Sequence, residues 1–405
     1  MNAPAPGATD TTFEIAAVDA FHVVAADRTY WRDYQVANRA ATDRFLLKPG
    51  WRTVYGRHVE TALVRVTLGD GTAGWGEATE PICPEVVCRL AASLIAPVLG
   101  GRRFASPTAL WEAAYELQRG RGHQSGYHLL AMAALDVAVW DAVARRAGLP
   151  VAAVLVAEPK RTLDVYLSGL RRGSLAERVA LLQSIVEAGY AGAKIFVGGD
   201  TAATMAEVRG LRAGVKAPFE LMVDALWSHE TAAAAADLKR ELAAYQVRWL
   251  ECPLVPEDLA AHRLLAASNG VPTALGEHFF THHQSALWLE AKVLDVFQPD
   301  ICRTGFSNGL AQAEIARTLG IRVTPHMGSG SPVVQAAALH FAAATAPTDP
   351  VEYQEDLATL LPEAFTSAWR IDGGRMHLPA APGLGVEIDA SALERHVAAV
   401  ERWAR

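Results

Sequence analysis

The feature that most constrains how this chain can fold is a regular alternation of strand-like and helical segments after about residue 160. Alternating apolar and polar residues indicate a strand, whereas apolar residues at every third or fourth position indicate a helix. The strand-like segments are eight in number: TLDVYLSG, GAKIFV, ELMVDA, RWLECP, TALGEH, VFQPDI, IRVTPH and VEYQED. This repeated βα rhythm predicts an α/β fold whose parallel strands close into a (β/α)8-type TIM barrel.

Polar residues recur near the ends of these strand-like segments, roughly one βα unit apart along the chain. They are Lys194, Asp224, Glu251, Glu277, Asp300, His326 and Glu355. In a closed barrel the carboxyl ends of all strands face one mouth, so we expect these side chains to converge there. A doubly wound open sheet is the alternative, but it would spread them along a crevice, and no G-x-G-x-x-G motif follows the first strand.

The rest of the chain predicts a second unit built around the barrel. Residues 13–127 predict an α+β capping domain, in which Asp70-Gly71 marks a hairpin turn between two alternating segments. A polar and aromatic segment at about 27–57 is long for a compact domain and predicts a lid, with a floppy surface insertion as the alternative. Residues 128–367 would form the barrel. Residues 368–405 would pack back on the capping domain and end in a helix.

Composition excludes several classes of protein. Residues 1–12 are rich in Pro, Ala and Thr and lack an apolar core segment, so they predict a disordered tail and not a signal peptide. The net charge is −7 and the basic residues are scattered, which argues against a nucleic-acid partner. The Ala-rich helical segments are too short to span a membrane. The four cysteines form no C-x-x-C pair, and we expect a cytoplasmic protein.

Three of the strand-end residues are carboxylates on successive strands, namely Asp224, Glu251 and Glu277. Three like charges cannot share a small volume unless a cation compensates them. A site made only of hard carboxylate oxygens suits Mg²⁺ far better than Zn²⁺, which prefers His and Cys. The sequence therefore predicts a magnesium site at the barrel mouth.

The order of these residues resembles the enolase superfamily, and within it the mandelate racemase subgroup of the mandelate racemase/muconate lactonizing enzyme family. The motifs that carry the resemblance are GE at 276–277, QPD at 298–300 and PH at 325–326. The segments GWGEA, AALDVAVWDAVARRAGLPV and PGLGVEI are similar to the capping domain, first barrel helix and tail of that family. The resemblance covers nearly the whole chain. It implies removal of the α-proton of a 2-hydroxy acid through a metal-stabilised enediolate, and it implies a homo-oligomer.

The resemblance also implies a role for each polar residue outside the metal site. His326 would be the base, and Asp300 would hold its imidazole in the correct tautomer. Lys194 matches the first lysine of the K-x-K signature of the family and would donate to the enediolate oxygen, with Glu355 opposite as a further donor or acid. Phe196 stands where the second lysine would serve the other face of the α-carbon. True racemisation, which needs a proton-transfer group on both faces, is therefore disfavoured.

One-base chemistry stays open, and the resemblance implies a sugar-acid dehydratase, in which His326 also protonates the leaving β-hydroxyl and the product is a 2-keto-3-deoxy acid. A cycloisomerase that opens a lactone or anhydro ring after the same deprotonation is the alternative. A non-catalytic binding barrel is a third hypothesis. It is disfavoured because a protein that only binds gains nothing from burying uncompensated charge. The expected substrate contacts are Phe196, His278, Trp31 and Arg303.

Overall fold

The computed structural model describes residues 10–29, 39–40, 42–47 and 53–405 of the chain. Its N-terminal strands are β1 (Phe13–Ala25), β2 (Arg39–Ala40), β3 (Phe45–Leu47), β4 (Val54–Gly56), β5 (Val59–Leu68), β6 (Ala73–Ala78) and β7 (Arg103–Phe104). Its first helices are α1 (Pro84–Leu90), α2 (Ala96–Leu99), α3 (Pro107–Glu116), α4 (Tyr127–Ala147) and α5 (Val151–Leu155), with a π-helical turn at Ala91–Ile95 and a 3-10 turn at Arg119–Arg121.

Strands β1, β5 and β6 pair antiparallel in that order and form the centre of the N-terminal sheet. The predicted hairpin at Asp70-Gly71 joins β5 to β6 and is confirmed. Strands β2, β3 and β4 pair antiparallel within the segment predicted as a lid. The remainder of that segment, with Trp31, lies outside the described residues, as do residues 1–9 of the predicted tail. The lid role stays a prediction.

Helix α4 is the central helix of the molecule, and it packs against β5 and β6 on one side and against the barrel on the other. It ends where the sequence predicts, because Gly148 adopts the left-handed conformation that closes a helix. By length and composition alone it could cross a membrane, but 94% of its apolar window is buried inside the protein. Burial on all sides explains why this helix is apolar around its whole circumference.

The barrel strands are β8 (Thr162–Ser168), β9 (Gly192–Phe196), β10 (Glu220–Asp224), β11 (Val247–Glu251), β12 (Thr273–Leu275), β13 (Val296–Phe297), β14 (Arg322–Val323) and β15 (Val351–Tyr353). The helices between and after them are α6 (Leu175–Glu187), α7 (Thr201–Gly214), α8 (Ala232–Ala243), α9 (Leu259–Ala266), α10 (His282–Glu290), α11 (Ile301–Thr318), α12 (Pro332–Thr345) and α13 (Glu355–Ala358).

Strands β8 to β14 pair in parallel in sequence order, and β15 pairs in parallel with β8, which brings the eighth strand back to the first. The predicted barrel is therefore confirmed, with the modification that the helix after β15 is only one turn long. A layer of buried side chains fills the barrel interior, as the fold requires. This layer consists of Tyr166, Met222, Trp249, Ala274 and Val296.

The C-terminal segment contains β16 (Phe365–Ser367), β17 (Arg370–Asp372), β18 (Arg375–His377), β19 (Val386–Ile388), α14 (Ala390–Glu394) and β20 (Val397–Ala404). Strand β18 pairs with β8 of the barrel, and β20 pairs antiparallel with β1 of the N-terminal sheet. The predicted final helix is wrong beyond Glu394. An edge strand offers unpaired backbone groups, and hydrogen bonds to the β1 edge outweigh the helical propensity of this Ala-rich segment.

Gly76 on β6 allows the close approach of α4 to the N-terminal sheet. A Cβ atom added at Gly76 would lie 2.1 Å from the carbonyl oxygen of Ala134, which is helix backbone and cannot move independently. We therefore expect Gly76→Ala to lower the free energy of unfolding by about 1–3 kcal/mol, the usual cost of overpacking a core. Gly120→Ala is the matched control, because its added Cβ meets no atom within 4 Å. Equal melting temperatures for the two variants would contradict this account of the helix–sheet contact.

Candidate active site

A cavity of about 310 Å³ lies at the mouth of the barrel, where the strand ends face the loop that follows β6. Its wall includes side chains from the second strand of the barrel to the eighth and several from the N-terminal domain. The charged and aromatic residues among them are Tyr55, Glu80, Arg171, Lys194, Phe196, Asp224, Trp227, Glu277, Arg303, His326 and Glu352. The structure thus brings most of the predicted strand-end residues to one place.

The three predicted metal ligands are buried side by side at the ends of β10, β11 and β12. Asp224 and Glu251 are the last residues of their strands, and Glu277 follows Leu275 by two residues. Burial, followed by repulsion from Glu251, raises the pKa of Asp224 well above its usual value. Burial also raises the pKa of Glu277, although nearby His326 opposes this shift. Burial is the largest cause of both shifts, and repulsion between the carboxylates adds to it.

Lys194 supplies the compensating positive charge within the described residues of this cluster. Its ammonium nitrogen lies 2.5 Å from Glu251 Oε1, 3.7 Å from Asp224 Oδ2 and 3.1 Å from Glu352 Oε1. The side chain is almost completely buried. Burial alone would lower the pKa of Lys194, but Glu251 and Glu352 raise it well above its usual value, so the ammonium stays charged.

Glu251 is oriented by Trp249 and Gln298, two residues to which sequence reasoning assigned no role. Its second carboxylate oxygen, Oε2, accepts hydrogen bonds from Trp249 Nε1 at 3.0 Å and from Gln298 Nε2 at 2.9 Å. Gln298 is the first residue of the QPD motif, so that motif contributes to the carboxylate cluster as well as supplying Asp300. These bonds fix the carboxylate plane and leave Oε1 directed at Lys194.

His326 and Asp300 form a hydrogen-bonded pair at the ends of two neighbouring strands. His326 Nδ1 lies 2.9 Å from Asp300 Oδ2, and His326 Nε2 lies 3.3 Å from Glu277 Oε2. Burial would lower the pKa of His326, but Glu277, the Asp300 hydrogen bond and Glu352 together raise it to about 9. The imidazole is therefore oriented by Asp300, with Nε2 directed at the carboxylate cluster.

The prediction for Glu355 is wrong, and Glu352 occupies the position that it was expected to fill. Glu355 is the exposed first residue of α13, whereas Glu352 lies within β15 and is fully buried beside Lys194. Burial would raise the pKa of Glu352, but Lys194 and His326 lower it. Its Oε2 also accepts from the Met327 N–H at 2.9 Å. Side chains alternate along β15, and this alternation puts residue 352 inside the barrel.

Phe196 lies beside Lys194 on the cavity side of β9, as the alternation of side chains along a strand predicts. The Lys194 ammonium lies 5.7 Å from the centroid of the Phe196 ring, and the Arg171 guanidinium lies at the same distance. Arg171 forms an ion pair with Asp356 and donates to Gln354 Oε1 at 3.2 Å. Sequence reasoning missed Arg171, because it lies in the loop after β8 without a recognisable motif.

The other expected substrate contacts divide into two groups. Arg303 lines the cavity, and its Nη1 donates to the backbone carbonyl of Glu277 at 2.9 Å. The structure does not bring His278 to the cavity; its ring packs against Phe279 at 4.1 Å and Trp288 at 6.0 Å. Burial lowers the pKa of His278 to about 3, so it is a neutral packing residue. His278 lies with Glu277 in the turn that follows β12, and its ring joins this aromatic cluster instead of the cavity wall.

The donor set of the carboxylate cluster fits a hard divalent cation. All three side chains present carboxylate oxygens at the ends of three adjacent strands; Asp224 and Glu277 line the cavity, and Glu251 is buried between their strands. Repulsion from Glu251 contributes to the raised pKa values of Asp224 and Glu277, and a cation would relieve it. The softer ligand next to them, Cys252, is a neutral thiol because burial raises its pKa well above the usual value.

Two sequence families match the chain, one for each unit. The N-terminal domain of the mandelate racemase/muconate lactonizing enzyme family matches residues 45–155, and the enolase C-terminal domain-like family matches residues 177–392. The protein is therefore an enolase-superfamily barrel with its own capping domain. The chain belongs to the mandelate racemase/muconate lactonizing enzyme family, as the sequence motifs predict.

Several relatives of this chain are named as enzymes that act on carbohydrate acids or their lactones. D-Galactarolactone cycloisomerase of Agrobacterium fabrum is 29% identical over 348 residues, which cover 82% of this chain and 89% of the relative. D-Galactonate dehydratase of Ralstonia nicotianae is 27% identical over 352 residues, which cover 82% and 90%. The crystal structure of an enolase-superfamily member from Agrobacterium tumefaciens aligns with a TM-score of 0.87 at 27% identity, covering 97% of this chain and all of that one.

The position of Lys194 among three carboxylates leads to a prediction about stability. Replacing Lys194 by Met removes the positive charge but keeps much of the volume, so buried carboxylates lose their partner. We expect the free energy of unfolding, measured with denaturant in a chelator-containing buffer, to fall by about 3–5 kcal/mol. Lys239→Met is the control, because this buried lysine donates to the backbone carbonyls of Leu265 and Ser268. An effect of Lys194→Met no larger than that of the control would contradict the charge-balance account.

Proposed function

We propose that this protein is a Mg²⁺-dependent sugar-acid dehydratase that acts through a single base, His326. The observation that carries the proposal is the oriented His326–Asp300 pair, whose Nε2 lies 3.3 Å from Glu277 of the carboxylate cluster in a cavity that Lys194 and Phe196 also line. Relatives of the chain include dehydratases of D-galactonate and D-gluconate, which supports this class of reaction.

The metal site would consist of Asp224, Glu251 and Glu277, whose all-oxygen donor set and strand-end positions support Mg²⁺. Magnesium bound there would act as a Lewis acid that stabilises negative charge on the substrate carboxylate. The residues of this chain would carry out the proton transfers and would hold the substrate.

The proton transfers would start at His326 Nε2 of the neutral imidazole, which takes the proton from the α-carbon of a 2-hydroxy acid. This neutral form would be favoured with a cation held by Glu277, because the cation would offset the carboxylate that does most to raise the pKa of His326. Asp300 keeps Nδ1 protonated and stabilises the imidazolium that results. The same imidazolium then gives a proton to the departing β-hydroxyl on the same face, and the electron pair of the α-carbon forms the double bond as water leaves. The enol product converts to a 2-keto-3-deoxy acid. One base therefore suffices for a syn elimination.

Lys194 and Glu352 would stabilise the charge that develops when the α-proton is removed. The buried Lys194 ammonium is held between Glu251 and Glu352, so it is positioned before the reaction begins and requires no reorganisation. Glu352 takes the role that the sequence had suggested for Glu355. Because Glu352 is the partner of both Lys194 and the Met327 N–H, it also connects this side of the cavity to the segment that carries His326.

Phe196 would form an apolar wall on the face of the substrate opposite His326. A phenyl ring has no group that can carry a proton, and exclusion of water by such a wall strengthens the electrostatic interactions inside the cavity. Arg303 and Arg171 would contact oxygen atoms along the rest of the substrate, because both guanidinium groups line the same cavity. Trp31 stays a predicted contact.

Cycloisomerisation is the second candidate function, and D-galactarolactone cycloisomerase as a relative is the observation that favours it. That reaction would use the same α-deprotonation by His326. The difference lies in the bond that breaks next, which would be a ring carbon–oxygen bond and not a bond to a free hydroxyl. Ring opening conserves mass, whereas dehydration releases water.

A product screen tests the reaction class and the metal together. We expect one member of a panel of aldonic and aldaric acids to be converted, in the presence of Mg²⁺, to a semicarbazide-reactive product lighter by one water, as measured by mass spectrometry. Chelation of the metal or Glu251→Gln should abolish turnover, whereas Glu355→Gln should retain it because Glu355 is exposed. Full activity in chelator-treated protein would overturn the metal assignment. A product of unchanged mass from a lactone or anhydro acid would favour cycloisomerisation.

The single-base arrangement leads to a stereochemical prediction for the substrate found in that screen. In deuterated water the enzyme should exchange or remove the α-proton of one configuration only, because Phe196 cannot transfer a proton on the opposite face. His326→Asn should abolish this exchange together with turnover, as followed by proton NMR of the substrate. Rapid exchange in both epimers that survives in His326→Asn would show that another base exists.

A further inference from the structure

The loop that follows β6 reaches from the N-terminal domain into the barrel and touches Asp300. We infer that Thr79 in this loop is a positioning residue, whose hydroxyl group fixes the Asp300 carboxylate and through it the imidazole of His326. The inference rests on the proposed role of His326 as the base. It adds a residue of the capping domain to the machinery of proton transfer.

The hydrogen bonds of the Asp300 carboxylate show what the Thr79 hydroxyl adds to those of His326 and Cys302. Its Oδ2 faces His326 Nδ1 at 2.9 Å, and its Oδ1 accepts from the Cys302 N–H at 2.9 Å and from Thr79 Oγ1 at 3.0 Å. The Cys302 bond alone is the N-cap of α11, and it would still permit the carboxylate to tilt. With Thr79 added, Oδ1 has two donors in different directions, so the plane of the carboxylate is set.

Thr79 itself is held rigidly at the boundary between the two domains. Its backbone N–H donates to the carbonyl oxygen of Cys302 at 3.0 Å, and the residue is 2% exposed. Its methyl group fills the space above Gly328, where an added Cβ would lie 2.1 Å from Thr79 Cγ2. Thr79 is therefore packed between the two barrel segments that supply Asp300 and His326, and the methyl and hydroxyl groups each have a contact.

Loss of the hydroxyl should affect the rate of proton transfer more than the binding of substrate. The imidazole would keep its Asp300 partner but in a less defined orientation, and small errors in the position of a base are costly. A group that only contacted substrate would instead change KM. A group with only a structural role would change the melting temperature and leave the His326 hydrogen bond intact.

The experiment compares Thr79→Val, which keeps the shape but removes the hydroxyl, with Thr79→Ser, which keeps the hydroxyl. The first measurement is the downfield proton resonance of His326 Nδ1 in the magnesium-loaded protein, assigned by its absence in His326→Asn. The second is kcat and KM with the substrate identified above. Thr61→Val is the matched control, because Thr61 is a buried threonine of the same sheet whose hydroxyl donates to the carboxylate of Glu77 at 2.5 Å.

We expect Thr79→Val to shift or broaden the Nδ1 resonance and to lower kcat by about 10- to 100-fold with little change in KM. Thr79→Ser should restore both, and Thr61→Val should alter neither. An unchanged resonance in Thr79→Val, or a change confined to KM, would overturn the inference. The resonance is observed without turnover. A positive NMR result with no dehydratase activity would therefore leave the positioning role intact and count against the proposed reaction alone.

Discussion

The balance of charge around Lys194 is the constraint on which the rest of the active site depends. Several carboxylates are buried at one barrel mouth, and desolvation makes each of them costly unless opposite charge lies close by. Lys194 satisfies two of them at hydrogen-bonding distance and a third at longer range. Burial of so much negative charge weakens the fold, and a stable soluble barrel would gain nothing from it. The arrangement is understandable as a site that is completed by a cation.

The carboxylates of Glu251, Glu277 and Glu352 differ in their neighbouring groups, and these neighbours give them different properties. Glu251 is fixed by Trp249 and Gln298, Glu352 by the Met327 N–H, and Glu277 has His326 on one side. The chemically similar side chains therefore differ in orientation and in pKa. Lys194 and His326 lower the pKa of Glu352, whereas burial raises that of Glu277. These differences would allow one ring of strand ends to provide both the proposed metal ligands and the proposed charge-stabilising pair of Lys194 and Glu352.

The sequence predicted the barrel and most of the site because both depend on local periodicity. Strand ends recur once per βα unit, so Lys194, Asp224 and Glu251 could be assigned from spacing alone. The error at Glu355 arose because β15 ends at Tyr353 and the chain turns into α13 immediately, so that Glu355 lies on that helix and Glu352 is the acid within the strand. The final strand could not be predicted because its partner, β1, is almost 400 residues away. Thr79 carries no local signal, since its contact with Asp300 spans 221 positions.

The contacts between the two domains show that the capping domain does more than cover the cavity. Glu77, two residues before Thr79, accepts hydrogen bonds from the backbone and hydroxyl of Ser331 in the barrel, and burial raises its pKa to about 7. Asp136 on α4 makes the same kind of paired contact with Ser307 on α11. Buried acids of this kind are tolerated only where each oxygen accepts a hydrogen bond. Any other relative position of the two domains would leave these oxygens without donors, so the contacts favour a single arrangement. Because that arrangement also places Thr79 against Asp300, the orientation of His326, the proposed base, depends on a contact from the capping domain as well as on the barrel.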